Sequence, residues 1–599
     1  MRKVLALCAL ATTSFALVAI AGATANGRDT LVTTGSLPSP FSQNKQNEPA
    51  VAVNPAVPAI AAAGVNEEID MEACNNRSDK TCPFTTGVGV SGIYFSDDSG
   101  SSWHQPTYQG WTARDCLGLP GTSTAAADNC NPHVGNIGTL PNYYENGLVS
   151  DGDPAVGFGP QRGANGKFSW DNGWRLYYAN LTANFSAERS EAGFKGFEAI
   201  GVSRLDSRNY AAAKAGVNSA WKDPVIVSKQ NAALFSDHEM IAVDDAAQTS
   251  PFFGNVYVCD AAFRSQEIGG FPAPIEVNTS SDGGDTWLTR QVSPAFNNST
   301  VGGRQDCAVN TDSTGTVYVF WDGTDPNTKT DAIFMARSFD GGRHFGSSQI
   351  VTHFDGTGIR DPESGDLTFD GVAGARDGSF PTVDIANGAP TGAGATDEIL
   401  LAWSNGPTPS DTSPGANEQV RLLWSRDQGT TWTSGGVASP ATDRPDFPAI
   451  AISPDGGDAY LTYMSFLQAW QSTTANPRLF QGVVRHAEVN RTTGVVGGWS
   501  DLNRAPTGDA RGSSANALTD EFLGDYDYAF ATNDFAVAVW NDARNAADCP
   551  KEDIYRQMLV DGTATSDSTD PNRPAPQQDC LPTFGNSDIF GGSYFDPTP

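Results

Sequence analysis

The chain predicts an all-β protein, a β-propeller of seven blades with six as the alternative count, and two recurrences carry that reading. The first is a turn motif. Ser280-Ser281-Asp282-Gly283-Gly284-Asp285-Thr286-Trp287 reads Ser-x-Asp-x-Gly-x-Thr-Trp, and Ser425-Arg426-Asp427-Gln428-Gly429-Thr430-Thr431-Trp432 repeats it. Ser96-Asp97-Asp98-Ser99-Gly100-Ser101-Ser102-Trp103 has Ser for Thr, and Ser338-Phe339-Asp340-Gly341-Gly342-Arg343-His344-Phe345 ends in Phe. Each copy follows an apolar, β-prone run such as Ile93-Tyr94-Phe95 or Leu422-Leu423-Trp424, so each marks a hairpin. The Asp carboxylate closes such a turn on backbone N–H groups, Gly supplies the positive φ, and the ring packs beneath.

The second recurrence precedes the first. Glu48-Pro49-Ala50-Val51 and Asp153-Pro154-Ala155-Val156 open two apolar runs, and related openings start at His238, Arg304, Phe380, Phe447 and Asp525. Short strands repeated at intervals of 66 to 105 residues are the signature of propeller blades. Loss of the divergent last repeat gives the six-blade alternative. With 63 Gly, 37 Pro and 18% charged residues, the composition suits short strands joined by many turns rather than helices.

Taken in order, residues 1–25 read as a secretory signal. Arg2 and Lys3 are the basic start, Val4 to Ile20 the apolar stretch, and cleavage is expected near Ala23 or Ala25. Residues 26–46 form a polar leader, and 47–599 a single propeller domain with long insertions at about 104–150 and 159–200. No later run is long and apolar enough to span a bilayer, so the chain is expected to be secreted, as a monomer. Cys8 leaves with the signal. The remaining eight cysteines suggest disulfides in an exported protein, and sequence neighbours suggest Cys74–Cys82, Cys116–Cys130, Cys259–Cys307 and Cys549–Cys580 among 105 pairings. The formal net charge of −32 argues against nucleic acid or an anionic membrane as partner.

Residues at the start of innermost strands converge on one mouth of a propeller. Across the repeats that ring is Glu48, Asp153, His238, Arg304, Phe380, Phe447 and Asp525, with Asp151, Asp237, Glu239, Asp306, Arg444, Asp446, Tyr526 and Asp527 beside it. Crowded carboxylates raise one another's pKa and can make a general acid. The alternative use of the same polar ends is to cap strands or to hold water or Ca²⁺ in the channel; no metal ligand set or cofactor follows from the sequence. His238-Glu239 lacks the second His four residues on that a metallopeptidase needs. Asp542-Ala543-Arg544 also reads as a structural ion pair closing the last blade. Trp111 and Trp170, both in insertions, are either sugar platforms or loop packing.

The repeated turn resembles the Asp box (BNR repeat) of the sialidase-like β-propeller superfamily, over most of the chain beyond the signal. In that family the box is a fold element on the rim, remote from the chemistry, so the resemblance assigns Asp98, Asp282, Asp340 and Asp427 to architecture. It implies an exo-α-sialidase-type glycoside hydrolase acting on an extracellular glycan or glycoprotein. Three Arg would clamp the substrate carboxylate, a Tyr assisted by a Glu would act as nucleophile, and an Asp as acid/base. On this chain those roles fall to Tyr526, Glu239, Asp153 and Asp525 as catalytic residues. Arg304, Arg444, Arg544, Glu48 and His238 fall to substrate binding. The family's Phe/Tyr-Arg-Ile-Pro motif is absent, and its sialidases have six blades. The rival functions are a non-catalytic propeller that binds glycan or protein through the same rim, and a polysaccharide-degrading hydrolase or lyase.

Overall fold

A computed structural model describes residues 29–598 except 36–44, 72–84, 115–131, 186–193, 229–232, 265–271, 297–304, 362–366, 407–417 and the single positions 469, 517, 519 and 568. The predicted signal segment and Cys74, Cys82, Cys116 and Cys130 lie outside the described residues.

Seven antiparallel sheets form the seven blades, each strand pairing with the next from the axis outward. The innermost strands are Gln46–Val53, Leu148–Arg162, Phe235–Val243, Gln305–Thr311, Thr382–Ile385, Arg444–Ile452 and Tyr528–Ala531, one at each predicted repeat. Ala and Val dominate them because blades crowd at the axis; Ala50, Val51, Ala52 and Val53 are all buried. Between blades the faces pack into apolar layers, such as Val51, Val53, Val65 and Tyr94 of blade 1 against Val537, Val539 and Ile589 of blade 7.

Thr30–Leu31, inside the predicted leader, pairs with Asp588–Phe595 and is the outermost strand of blade 7. The last blade is therefore built from both ends of the chain. Such closure hides two sheet edges at once. The expected insertion at 159–200 is largely strand: Leu148–Arg162 and Phe168–Asn184 run on as one long hairpin of blade 2. The region 104–150 carries a second hairpin, Tyr108–Thr112 with His133–Ile137.

The four repeated turns share one hydrogen-bond network on the face opposite the mouth. In blade 3, Ser280 Oγ donates to Asp282 Oδ1 (2.9 Å) and accepts from Gly284 N (2.8 Å). Thr286 N and Oγ1 donate to Asp282 Oδ1 and Oδ2 at 2.9 and 2.6 Å. The same four bonds recur at Asp98, Asp340 and Asp427, with His344 Nδ1 replacing the hydroxyl at Asp340. Gly100, Gly284, Gly342 and Gly429 all have φ between 71 and 86°, which is why Gly recurs there.

Disulfides join Cys259 to Cys307 and Cys549 to Cys580, two of the suggested pairs. The first ties blade 3 to the innermost strand of blade 4. The second closes an insert of blade 7 that holds the helix Pro550–Val560. That helix begins with Pro at its first turn and has Glu552 and Asp553 near its N-terminus, where both suit the backbone. Among the described residues no helix is long and apolar enough to cross a membrane.

Candidate functional site

The mouth of the channel is built by a recurring β-bulge. In five innermost strands the ladder skips two residues, at Asn47/Ala50, Gly152/Ala155, Asp237/Met240, Gln305/Ala308 and Asp446/Ala449. The bulged residues Glu48, Asp153, His238, Asp306 and Phe447 have φ of 53, 46, 49, 59 and 48°. Non-glycine residues pay for that left-handed conformation, and such strain concentrates at sites that use it. The bulge repeats the same backbone conformation at the start of five innermost strands, and His238, Asp306 and Phe447 line the channel.

The bulge also corrects the ring read from the repeats. In blade 4 the ring position belongs to Asp306, not Arg304, which lies outside the described residues. In blade 7 the strand resumes at Tyr528, as blade 5 resumes at Thr382 after Phe380, so the equivalent of Phe380 is Tyr526 rather than Asp525. The ring is Glu48, Asp153, His238, Asp306, Phe380, Phe447 and Tyr526.

These side chains meet around the axis. The His238 ring lies edge-on to Tyr526 (5.1 Å between centroids) and to Phe380 (5.7 Å), and Phe380 stacks on Phe447 at 5.8 Å. His238 Nδ1 contacts Asp306 Oδ1 at 2.7 Å. On the other side the buried Glu48 and Asp153 carboxyls stand close enough for each to act on the other's protonation. Asn66 holds both: its Nδ2 donates to Glu48 Oε2 and its Oδ1 accepts from Asp153 N at 2.8 Å. Asn541 Oδ1 accepts from Glu48 N at 2.7 Å, so a second-strand Asn of the preceding blade pins the bulge in two blades. Gly524 lets the chain pass close enough to bring in Asp525; a Cβ there would stand 2.7 Å from Glu48 Cγ. Arg376, from the insertion before blade 5, reaches Asp525 Oδ2 at 2.6 Å.

Beneath the ring the channel encloses about 300 Å³, walled by Val51, Val156, Ile241, Val309, Val383 and Ile450. Loops of blades 3 and 5 meet at its far end, where Asn387 Nδ2 donates to Asp245 Oδ1 at 2.9 Å. Trp170 of blade 2 joins them by donating to Pro390 O at 3.0 Å. Trp170 is therefore engaged in packing, as is Trp111, which stacks on Tyr144 at 4.9 Å.

The electrostatics of the mouth are frustrated. Burial and the charges of Asp153 and Asp525 push the Glu48 carboxyl well above its usual range. Burial raises Asp153 too, against the opposing pull of His238. Asp237 is pushed up to about 8 by burial and by Asp153. Glu239 sits behind the ring between blades 2 and 3, buried, and among the described residues its carboxyl oxygens meet nothing beyond its own backbone N–H. Its carboxyl is raised well above the usual range by burial and then by Asp153. His238 loses from burial but gains more from Asp306, and its pKa rises to about 10. Tyr526 is held as a neutral phenol by burial and by Asp153 and Glu48. Two raised carboxyls beside an imidazole whose proton Asp306 stabilises, and a carboxylate paired with Arg376, form an arrangement whose carboxyls can hold and release a proton.

Of the residues singled out from sequence, the structure brings together Glu48, Asp153, His238, Asp525 and Tyr526. Glu239 adjoins them from behind. Arg444 opens the blade 6 strand, where it acts on Glu418. Arg544 is engaged elsewhere: it donates to Asp542 at 2.6 and 3.0 Å, pairs with Asp29 and stacks on Phe590 at 3.8 Å. It ties the N-terminal strand to blade 7, the structural role its Asp-Ala-Arg context suggested. Arg376, Asn66 and Asn541 were not visible as site residues, and Asp306 was read as standing beside the ring rather than in it. Asp306-Cys307-Ala308-Val309 does parallel Asp153-Pro154-Ala155-Val156, and that parallel was the signal for Asp306.

No family model matches the chain, and no curated protein matches it. Solved structures that resemble it include an α-L-arabinofuranosidase of Fusarium graminearum, at 12% identity and a TM-score of 0.37 over 76% of this chain and 96% of that one. An α-L-arabinanase of Penicillium chrysogenum gives 10% and 0.35, over 74% and 93%. The NanB sialidase of Streptococcus pneumoniae gives 9% and 0.37, over 74% and 68%. At such scores the likeness carries no weight for chemistry. The class of the molecule, a seven-bladed β-propeller with a carboxylate-lined mouth, rests on its own strands.

Proposed function

We propose that the protein is a glycoside hydrolase acting on an extracellular glycan through the carboxylates of the propeller mouth. The observation that carries this reading is the junction of the Glu48–Asp153 carboxyl pair with the Asp525–Arg376 ion pair on one rim. In this reading a proton held by Glu48 or Asp153 goes to the glycosidic oxygen as the bond to the anomeric carbon breaks. Asp525, oriented by Arg376, stabilises the positive charge that develops on the sugar and directs the attacking water or forms the bond itself. His238 supplies a fixed positive charge against which the leaving hydroxyl is seated.

The finer reading is sialidase chemistry, with Tyr526 as nucleophile. It is supported by the four repeated turns and by the placing of Tyr526 in the ring beside Asp153 and Glu48. A specific observation favours a neutral glycan instead. Among the described residues Arg376 is the guanidinium that meets the mouth acids, and it is already paired with Asp525, whereas a sialoside carboxylate calls for a multidentate guanidinium clamp.

Hydrolysis of fluorogenic sialosides, arabinosides and other neutral glycosides by the purified protein decides between them. Cleavage abolished by Glu48→Gln, Asp153→Asn or Asp525→Asn supports the hydrolase. Silence across the panel, or cleavage untouched by all three substitutions, refutes it.

A further inference from the structure

A second cluster lies on the opposite face, at the seam between blades 6 and 7. There, in blade 6, Asp458–Phe466 pairs with Leu479–Glu488. Its register sets Asp458 opposite Glu488 and Tyr460 opposite His486. Side chains two apart on a strand share a face, so Asp458, Tyr460, His486 and Glu488 all project together. That face looks at blade 7: Tyr460 packs with Ala531 and Ala536. Asp596, just past the last strand of blade 7, completes the group, placed by its own N–H donating to Asp534 O at 3.1 Å.

The ligand-type atoms of Asp458, His486, Glu488 and Asp596 all lie within 4.8 Å of one another. His486 Nε2 is 2.9 Å from Asp458 Oδ1 and 3.9 Å from Asp596 Oδ1. The imidazole and the Asp458 carboxylate are buried, and the Asp596 side chain is 7% exposed. Two largely enclosed carboxylates, Asp458 and Asp596, and a third, Glu488, at the exposed edge surround one imidazole there. The nearest guanidinium, Arg491, spends its bond on Asp455 at 2.8 Å, stands 4.0 Å from Asp458 and is 56% exposed.

A separate observation points the same way. The Tyr460 hydroxyl is buried and has no hydrogen-bond partner among the described residues, although Asp458, Asp596, Asp534 and Glu488 all act on it electrostatically. A buried hydroxyl left without a partner beside these carboxylates is accounted for if something else draws the oxygens of Asp458, Asp596 and Glu488 together. Asp458 is also held in place, with its N–H on Ser453 Oγ at 2.9 Å and its carbonyl accepting from Ser453 N at 2.8 Å.

We infer that Asp458, His486, Glu488 and Asp596 form a binding site for one divalent first-row transition-metal ion that clamps the end of the chain to blade 6. One imidazole nitrogen with carboxylate oxygens suits Zn²⁺ or Mn²⁺; Ca²⁺ prefers an all-oxygen shell. The ion would fasten the terminal strand of the blade that closes the ring, so its readout is stability rather than turnover.

The test is calorimetric titration of Zn²⁺ and, separately, Mn²⁺ and Ca²⁺ into the chelator-treated full chain, with thermal unfolding followed alongside. The expected result is one Zn²⁺ or Mn²⁺ per chain and a rise in Tm. Glu488→Gln, at an exposed position and safe for folding, and His486→Gln should each weaken uptake by roughly tenfold or more and remove the Tm rise. Uptake by both variants equal to that of the parent would assign the binding to the acidic surface and overturn the site. No saturable uptake by the parent would do the same. A response to Ca²⁺ with none to Zn²⁺ or Mn²⁺ would overturn the transition-metal assignment.

Discussion

Aspartates at the two faces of this propeller sit in opposite circumstances. On the turn face, Asp98, Asp282, Asp340 and Asp427 each accept hydrogen bonds from a serine, a backbone N–H and a further side chain. Partial burial works against their charge, but those bonds win, and all four carboxyls are held below their usual range, Asp340 at about 2. At the mouth, Glu48, Asp153, Asp237 and Glu239 are buried among one another, and their pKa values rise. A satisfied carboxylate stabilises the fold it closes. A frustrated one costs stability and persists where it is used.

That contrast yields a graded set of expected outcomes. The largest concerns turnover: Asp153→Asn or Glu48→Gln should lower kcat by about 10²–10⁴-fold, the usual worth of a general acid. Asp282→Ala should leave kcat unchanged, because Asp282 lies on the turn face. Steady-state kinetics on whichever glycoside is cleaved checks both.

Next comes the pH dependence of stability. Asp237 keeps its proton up to about pH 8 in the folded chain but only to its ordinary 3.8 when unfolded. Its contribution is therefore full below that lower value and is lost as the pH rises through about 8. His238, raised from 6.5 to about 10, acts in the same sense at still higher pH. The turn aspartates act in reverse: Asp340 contributes above 3.8 and loses that contribution as the pH falls through about 2. The Tm should accordingly decline from mildly acidic to mildly alkaline pH, and Asp237→Asn should flatten the decline. Thermal scans across that range give the answer.

The smallest effect is at a single turn. Removing the Asp282 carboxylate frees four donors of one hairpin, at a largely exposed turn, and should cost about 1 kcal/mol, as for other capping carboxylates. Denaturant unfolding would read it as a lower midpoint at unchanged slope.

The sequence was informative where one residue type does one local job. The Ser-x-Asp-x-Gly turns and the X-Pro-Ala-Val strand openings are local grammar, and they sufficed for seven blades and for Glu48, Asp153, His238 and Tyr526 at the mouth. The N-terminal strand Thr30–Leu31 was not legible, because two residues carry no period and their partner lies at the far end of the chain. The choice of Arg304 over Asp306 failed because a bulge shifts register by backbone conformation, and neither Asp nor Glu advertises a positive φ. Arg376 was hidden in an insertion outside the repeat, and Asn66 and Asn541 act on the neighbouring blade, a relation set by ring packing alone. The three arginines expected from the resemblance divide differently: one lies outside the described residues, one stands beside Glu418, and Arg544 holds the closure strand.

The central claim is that the mouth carboxylates are strained for use while the turn aspartates are relaxed for structure. Its most direct test is the Tm of Glu48→Gln measured beside that of Asp282→Asn at a pH just above 8. The account predicts that Glu48→Gln melts at or above the parent temperature while Asp282→Asn melts below it. A Glu48→Gln variant destabilised as much as Asp282→Asn would make Glu48 a structural carboxylate and contradict the account.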